Sequence, residues 1–77
     1  GNHFNIYPNP VKDFVKVTTV NGQQSTVKIY NTLGMLVEEI EMNSNETEIN
    51  VSDYNPGIYF IEVQTVNGNF IKKVIVE

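Results

Sequence analysis

Few side chains in this sequence can do acid–base or nucleophilic chemistry. The one histidine, His3, lies at the start of the chain, where residues are commonly frayed, so a solvated residue or a scar is a better interpretation than a base or a ligand. There is no cysteine, which removes disulfides, thiol catalysis and Cys-based zinc sites. Ser52 and Asp53 have the character of a turn, and one terminal histidine cannot complete a Ser–His–Asp set. We therefore expect no catalytic residue, no metal site and no cofactor.

The carboxylates predict a solvated face rather than a site. Asp13 follows Pro10, and we expect an Asx-type bond that ties down the turn in preference to a cation site. A calcium site among the glutamates lacks the loop spacing that such sites show. The glutamates are expected to form the wet face of two neighbouring strands, and they are Glu38, Glu39, Glu41, Glu46 and Glu48.

Charge and hydropathy exclude two classes of partner. The 77 residues carry a net charge of −4, contain no arginine, and have no basic cluster larger than Lys72-Lys73. Nucleic-acid binding depends on Lys and Arg that neutralise phosphates, so that class is nearly excluded. No apolar run approaches the roughly 20 residues of a membrane-spanning helix. An apolar content of 40% nevertheless indicates one small domain with a packed core.

Alternating apolar and polar residues predict about seven short strands. Pro8 and Pro10 end the first strand, because each fixes φ and lacks an N–H. The segment 36–42 is also compatible with a short helix, but it is only about two turns long and lies between strand-like neighbours, which favours a strand. The expected strands are residues 4–7, 14–19, 26–31, 36–42 and 47–51, followed by the two arms of a terminal hairpin that run to Val63 and from Phe70 to Val76.

Turn signals in the sequence predict which consecutive strands form hairpins. Asn67-Gly68 lies between two apolar runs and predicts a type I′ turn, in which both central residues need positive φ. We expect the hairpin that it closes to be the central pair of the fold. Asn21-Gly22 is a second hairpin candidate, although the polar residues after it favour a longer loop. Gly34 is the expected positive-φ residue of the reversal at 32–35.

Seven short strands with a turn every eight to twelve residues are typical of a two-sheet β-sandwich. No strand alternates with a long helical pattern, so a βαβ arrangement is disfavoured. Tyr59 is expected to pack in the core with its hydroxyl on the backbone, like the tyrosine corner of sandwich folds. The fold class predicted here is therefore all-β, an immunoglobulin-like sandwich of antiparallel strands.

Four motifs then follow one another along the chain. They are an N-P-x-x-D opening at 8–13, a strand ending in a glycine turn at 27–34, a G-x-Y motif at 55–61, and a closing basic-then-apolar strand at 72–76. In this order and spacing they resemble the type A C-terminal sorting domain of the type IX secretion system, over essentially all of residues 4–77. The residues that carry the resemblance are Pro8, Asn9, Pro10, Asp13, Gly34, Gly57, Tyr59, Lys72 and Lys73.

The resemblance implies a sorting label that performs no reaction. Domains of this family follow a cargo in the chain, and the type IX secretion machinery recognises the folded domain during export across the outer membrane. A cysteine-peptidase-like sortase then removes it, and the cargo is released or joined to anionic lipopolysaccharide at the cell surface. On this interpretation residues 1–3 are a linker or an expression scar of a longer protein, and residues 4–77 are the sorting domain.

Other interpretations of the same residues stay open. An Ig-like accessory module that binds a glycan or a surface protein would use aromatic side chains, but Tyr7, Tyr30 and Tyr54 fall in separate elements, which favours scattered positions. A structural spacer is the third hypothesis, and an enzyme is a distant fourth. Lys72 and Lys73 alternate across the last strand, so one of them is expected to face solvent. That lysine either touches a receptor or simply protects a strand edge from aggregation.

Overall fold

A computed structural model of the chain describes residues 4–20 and 24–77. His3 and the Asn21-Gly22 hairpin candidate lie outside the described residues. Within the described residues the secondary structure is all β, and segment 36–42 is a strand, as predicted. In the same part of the chain, no helix has the length and apolarity of a membrane span. The strands are β1 (Phe4–Tyr7), β2 (Phe14–Thr19), β3 (Ser25–Tyr30), β4 (Leu36–Met42), β5 (Glu46–Asn50), β6 (Gly57–Thr65) and β7 (Gly68–Val76).

The strands form two antiparallel sheets, which confirms the predicted sandwich. The three-stranded sheet has the order β1-β2-β5, and the four-stranded sheet has the order β4-β3-β6-β7. The terminal hairpin was expected to be the central pair, and this is wrong, because β3 pairs with the free side of β6 and leaves β7 at the edge. A tight turn makes β6 and β7 neighbours, but it does not determine which of them gains a second neighbour.

The core lies between the two sheets. Successive side chains of a strand point to opposite faces, so alternating valines and isoleucines from both sheets meet there. Burial of one such side chain contributes roughly 1.5–3 kcal/mol. In a domain of this size that makes each core position important. The buried apolar residues are Phe4, Ile6, Val11, Val15, Val17, Val27, Ile29, Met42, Ile49, Val51, Ile61, Val63, Val74 and Val76.

The turn between β3 and β4 is built as predicted around Gly34, whose φ is +80°. Asn31 stabilises it, because its side-chain oxygen accepts hydrogen bonds from the N–H groups of Leu33 (2.9 Å) and Met35 (3.0 Å). Its main-chain oxygen also accepts from the Gly34 N–H at 3.0 Å. The Asn31 side chain thus supplies an additional acceptor within the turn, and Gly34 adopts the positive φ without the steric cost that a side chain would add.

The terminal hairpin forms, but its turn is shifted by one residue from the prediction. Thr65 pairs with Gly68, so the two loop residues are Val66 and Asn67. A type I′ turn centred on Asn67-Gly68 is therefore wrong, because Asn67 has no positive φ and Gly68, at +139°, belongs to the first pair of the ladder. The Thr65 hydroxyl accepts from the Asn67 N–H at 3.1 Å and donates to the Gly68 oxygen at 3.0 Å, which stabilises this register.

Candidate recognition site at the edge of the sandwich

The first and last motifs of the chain lie side by side. The Asn9 side chain lies against the outer edge of β7, where its Nδ2 donates to the Lys73 oxygen at 3.0 Å and its Oδ1 accepts from the Ile75 N–H at 2.9 Å. An asparagine amide carries the same donor and acceptor as a peptide group. Asn9 therefore pairs with the edge of β7 as one residue of an added strand would.

Main-chain bonds continue this pairing toward the end of the chain. The Val11 N–H donates to the Ile75 oxygen, and the Glu77 N–H donates to the Val11 oxygen, both at 2.8 Å. Val11 thus forms a parallel bridge with Val76, and its side chain is only 1% exposed. We call the pairing of Asn9 and Val11 with β7 the latch. It attaches the segment after β1 to the carboxyl half of the last strand.

The two lysines of the last motif point in opposite directions, as the alternation predicts. Lys72 faces inward and is half-buried, and its Nζ donates to the Ile6 oxygen at 3.0 Å, which joins β7 to β1. Lys73 is exposed on the outer face of the four-stranded sheet. One of the two lysines therefore faces solvent, and contact of Lys73 with a receptor stays a prediction.

Tyr59 lies on β6 beside the latched half of β7, directly paired with Val74. The half-buried ring packs against the core and against Tyr54, with ring centroids 5.1 Å apart. Its hydroxyl donates to the Asn55 oxygen at 2.7 Å, so the predicted resemblance to a tyrosine corner is confirmed. Two residues earlier, Gly57 begins the strand with a φ of +149°, a backbone conformation that residues other than glycine rarely adopt.

The remaining residues of the first motif define how the chain enters and leaves the latch. Pro8 and Pro10 flank Asn9, are exposed, and each follows a cis peptide bond. Asp13 is attached through its main chain, since its oxygen accepts from the Val51 N–H at 2.8 Å. Among the hydrogen bonds between described residues none involves the Asp13 carboxylate, so the Asx-type bond expected in this turn is not formed there and the main chain ties the turn down instead.

The glutamates do not form the common face that was expected of two neighbouring strands. β4 belongs to the four-stranded sheet and β5 to the three-stranded sheet, so consecutive strands lie on different layers. Glu41 accepts from the Thr26 hydroxyl at 2.9 Å, and Glu46 lies 3.5 Å from the Lys16 ammonium. Within residues 4–20 and 24–77, no three His, Cys, Asp or Glu side chains converge as metal ligands.

The tyrosines are scattered, as predicted. Tyr7 lies on the three-stranded sheet, Tyr30 on the four-stranded sheet, and Tyr54 in the segment between β5 and β6. The Tyr54 hydroxyl donates to Glu38, and burial of the ring together with this bond raises the pKa of Tyr54 well above its usual value. Desolvation and a 3.2 Å bond to Glu62 also raise the pKa of Tyr30. A glycan-stacking face made by these three rings is not present.

The pairing of Asn9 with β7 was not predicted from the sequence, in which Asn9 is only one residue of a motif. Its partners Lys73 and Ile75 are 64 and 66 residues away, and nothing local in the sequence indicates such contacts. The available signal was the pattern itself, because an asparagine between two prolines cannot continue a regular strand and leaves its amide to pair elsewhere.

Comparison with known proteins places this geometry in context. The sequence model of a family described as "Secretion system C-terminal sorting domain" matches residues 5–77. The ulvan lyase NLR42 of Nonlabens ulvanivorans is 38% identical over 65 residues, which are 83% of this chain and 12% of that protein. Beta-agarase A of Zobellia galactanivorans is 32% identical over 71 residues, which are 91% of this chain and 13% of that protein. The chain therefore spans only a small part of the length of these relatives.

A solved structure extends the likeness to the fold. It comes from a study of PorZ, named there as an essential surface component of the type IX secretion system of Porphyromonas gingivalis. The likeness covers 96% of this chain and 11% of that chain, with a TM-score of 0.81 and 24% sequence identity. At this identity the likeness concerns the fold, and it agrees with the immunoglobulin-like sandwich predicted from the sequence.

Proposed function

Because this chain belongs to the family of secretion system C-terminal sorting domains, we propose that the latched, folded sandwich is the form that the export machinery reads. The chain is a type IX sorting signal without catalysis of its own, and it marks the protein that carries it for the cell surface or the exterior. What the proposal adds is the physical state of the signal, which is a tertiary structure rather than a linear tail.

The latch is the observation that carries this proposal. Asn9 belongs to the first motif and Lys73 to the last, yet the two are joined by a 3.0 Å hydrogen bond. Val11 and Glu77 are joined in the same way at 2.8 Å. A linear peptide cannot present both motifs together, because they are more than 60 residues apart in the chain. A receptor that contacts both motifs therefore binds only after the sandwich has closed.

The later steps belong to the same proposal. We expect a cargo to precede this domain, a sortase to cut between them, and the cargo to be released or attached at the cell surface. The shares of 12% and 13% that the chain covers in the two enzyme relatives support a tail on a much larger protein. They carry no information on the activity of the cargo, because the similarity is confined to the tail.

Export of a reporter tests the proposal. Residues 1–77 are fused to the carboxyl end of an inert passenger that carries a signal peptide, and the fusion is expressed in a bacterium with a type IX system. We expect the passenger at the cell surface or in the medium, and in the periplasm when an unrelated β-sandwich replaces the domain. A stable, folded fusion that stays in the periplasm would contradict the proposal.

The role of the fold is tested in the same cells with a latch variant. Asn9→Ala removes both amide contacts with β7 and leaves Lys72 and Lys73 in place. If the closed sandwich is what is read, export of this fusion falls with the fraction of folded domain. Adding Val15→Asp, at a fully buried core position, unfolds the domain and leaves the motif lysines in place, and unchanged export of that variant would show that a linear motif suffices.

A further inference from the structure

The latch covers only part of the edge of β7. The groups that face it belong to Lys73, Ile75 and Glu77, which are alternate residues. In an antiparallel ladder, alternate residues direct their main-chain N–H and C=O groups to the same side. Asn69 and Ile71 therefore direct theirs to the outer edge as well. Among the described residues, no strand pairs with this part of the edge.

Exposed apolar side chains lie on the outer face of β7, one in the open part of the edge and one in the latched half. Ile71 is 61% exposed and Ile75 is 41% exposed, on the outer face, with Lys73 between them. At the hairpin end, Phe70 packs beside Phe4 of β1 with ring centroids 6.1 Å apart, and this pair borders a shallow groove between the two sheets. A strand added to this edge would cover Ile71 on one face and border the groove on the other.

Natural sheets usually protect such an edge with charges, prolines or a covering segment. Here the ammonium group of Lys72 is engaged with the Ile6 oxygen, so Lys73 is the outward-facing charge of β7. The covering segment is the latch, and it ends at Asn9. The stretch from Asn69 to Ile71 has no charged residue, no proline and no covering segment within the described residues.

We propose that this open edge of β7 binds an extended segment of a partner protein by strand addition, with an apolar side chain beside Ile71 and a carboxylate beside Lys73. Strand addition uses main-chain hydrogen bonds for affinity and alternate side chains for specificity. A second copy of this chain is a poorer occupant, because each copy carries a net charge of −4. The inference rests on the proposed function, in that the partner belongs to the export machinery.

A proline substitution tests the pairing. Ile71→Pro removes the outward-facing N–H and places a ring at the edge, and an edge strand tolerates proline at such a position. Ile71→Val keeps the N–H and is the matched control. In the passenger fusion we expect Ile71→Pro to lower the export rate about tenfold and Ile71→Val to leave it unchanged. Thermal unfolding of the isolated chains checks that both variants are folded.

The outcomes separate this inference from the proposed function. If the wild-type fusion is not exported, the proposed sorting function is wrong, and the inference that rests on it is wrong as well. Wild-type and folded Ile71→Pro fusions that are exported equally overturn only the strand addition. If Ile71→Pro does not fold, Lys73→Glu decides, because a folded charge-reversed variant exported at the wild-type rate also overturns the inference. A dimer of the isolated chain in sedimentation that Ile71→Pro abolishes overturns it too, since the occupant is then a second copy.

Discussion

The two sides of the sandwich are closed by different kinds of contact. On the side where β1 meets β7, amide groups close the gap, through Asn9 and Val11. On the side of β4 and β5, Tyr54 bridges the layers by donating to the Glu38 carboxylate. The latch depends on amide groups that do not titrate, whereas the Tyr54 bridge depends on the proton of a phenol.

This difference indicates that the two sides stabilise the fold in different ways. The latched side joins the first and last motifs, and the hydrogen bonds of the latch itself are between amide groups whose strength does not change with pH. The opposite side carries most of the acidic residues and contributes through side chains that water and protons reach. Each side can therefore be weakened separately, and the size of the loss shows which one holds the fold together.

Removing residues 72–77 should have the largest effect. The deletion takes away half of β7, its pairs with β6 and every contact of the latch. We expect the shortened chain to show no cooperative thermal transition in circular dichroism. Deletion of Glu77 alone, which removes one bond to Val11, is the control and should leave a cooperative transition at a lower temperature.

Tyr59→Ala comes next. The half-buried ring packs on the core beside the latched half of β7, and because truncation of a fully buried aromatic costs about 3–5 kcal/mol, we expect a loss of about 2–3 kcal/mol here. Urea unfolding measures this loss. Tyr59→Phe keeps the ring and removes only the bond to Asn55, so it should cost about 1 kcal/mol. Equal losses for the two variants would show that the hydroxyl, rather than the packing, matters.

Asn9→Ala compares the latched and open halves of β7 directly. It removes two hydrogen bonds and should lower the free energy of unfolding by about 1–2 kcal/mol. Asn69→Ala changes the same residue type in the open half, where the side chain makes one exposed 3.2 Å bond to Glu62, and should stay within about 0.5 kcal/mol. A loss at Asn69 as large as that at Asn9 would remove the distinction between the two halves.

The smallest effect should come from alkaline pH on the opposite side. Because the folded-state pKa of Tyr54 is raised above its unfolded value, its contribution is fully present below about pH 10 and is lost as the pH rises further. The melting temperature should therefore fall above about pH 10. Tyr54→Phe has no phenol at this position and should show a shallower fall. Parallel curves for the two proteins would contradict the assignment to Tyr54.

Local features of the chain could be predicted from the sequence. Alternation placed β1 and β2 at their observed bounds and β3 and β5 within one residue, and the short length and the neighbours of segment 36–42 placed β4. Gly34 and the Tyr59 hydroxyl were also predicted correctly. Each of these depends on residues a few positions apart, where steric limits on φ and the period of two in a strand leave little choice.

The pairing of distant strands could not be predicted. Alternation indicates that a residue faces a core, but it does not say which strand lies beside it, so the glutamates of β4 and β5 were assigned to one face although they lie on different sheets. The shift of the last turn to Val66-Asn67 depends in a similar way on the pairing of Thr65 with Gly68. Register is set by which face is buried and by the turn type, and both are defined only once the strands have paired.

The residue pattern alone was enough to predict an all-β chain, most of its strands, the Gly34 turn and the motifs of a sorting signal. Three further features depend on how the sheets assemble: β7 is an edge strand, Asn9 pairs with its carboxyl half, and the half near the hairpin is unpaired among the described residues. The physical reason is distance along the chain. Contacts between residues more than 60 positions apart form only when the whole sandwich closes, and no short pattern of residue types encodes them.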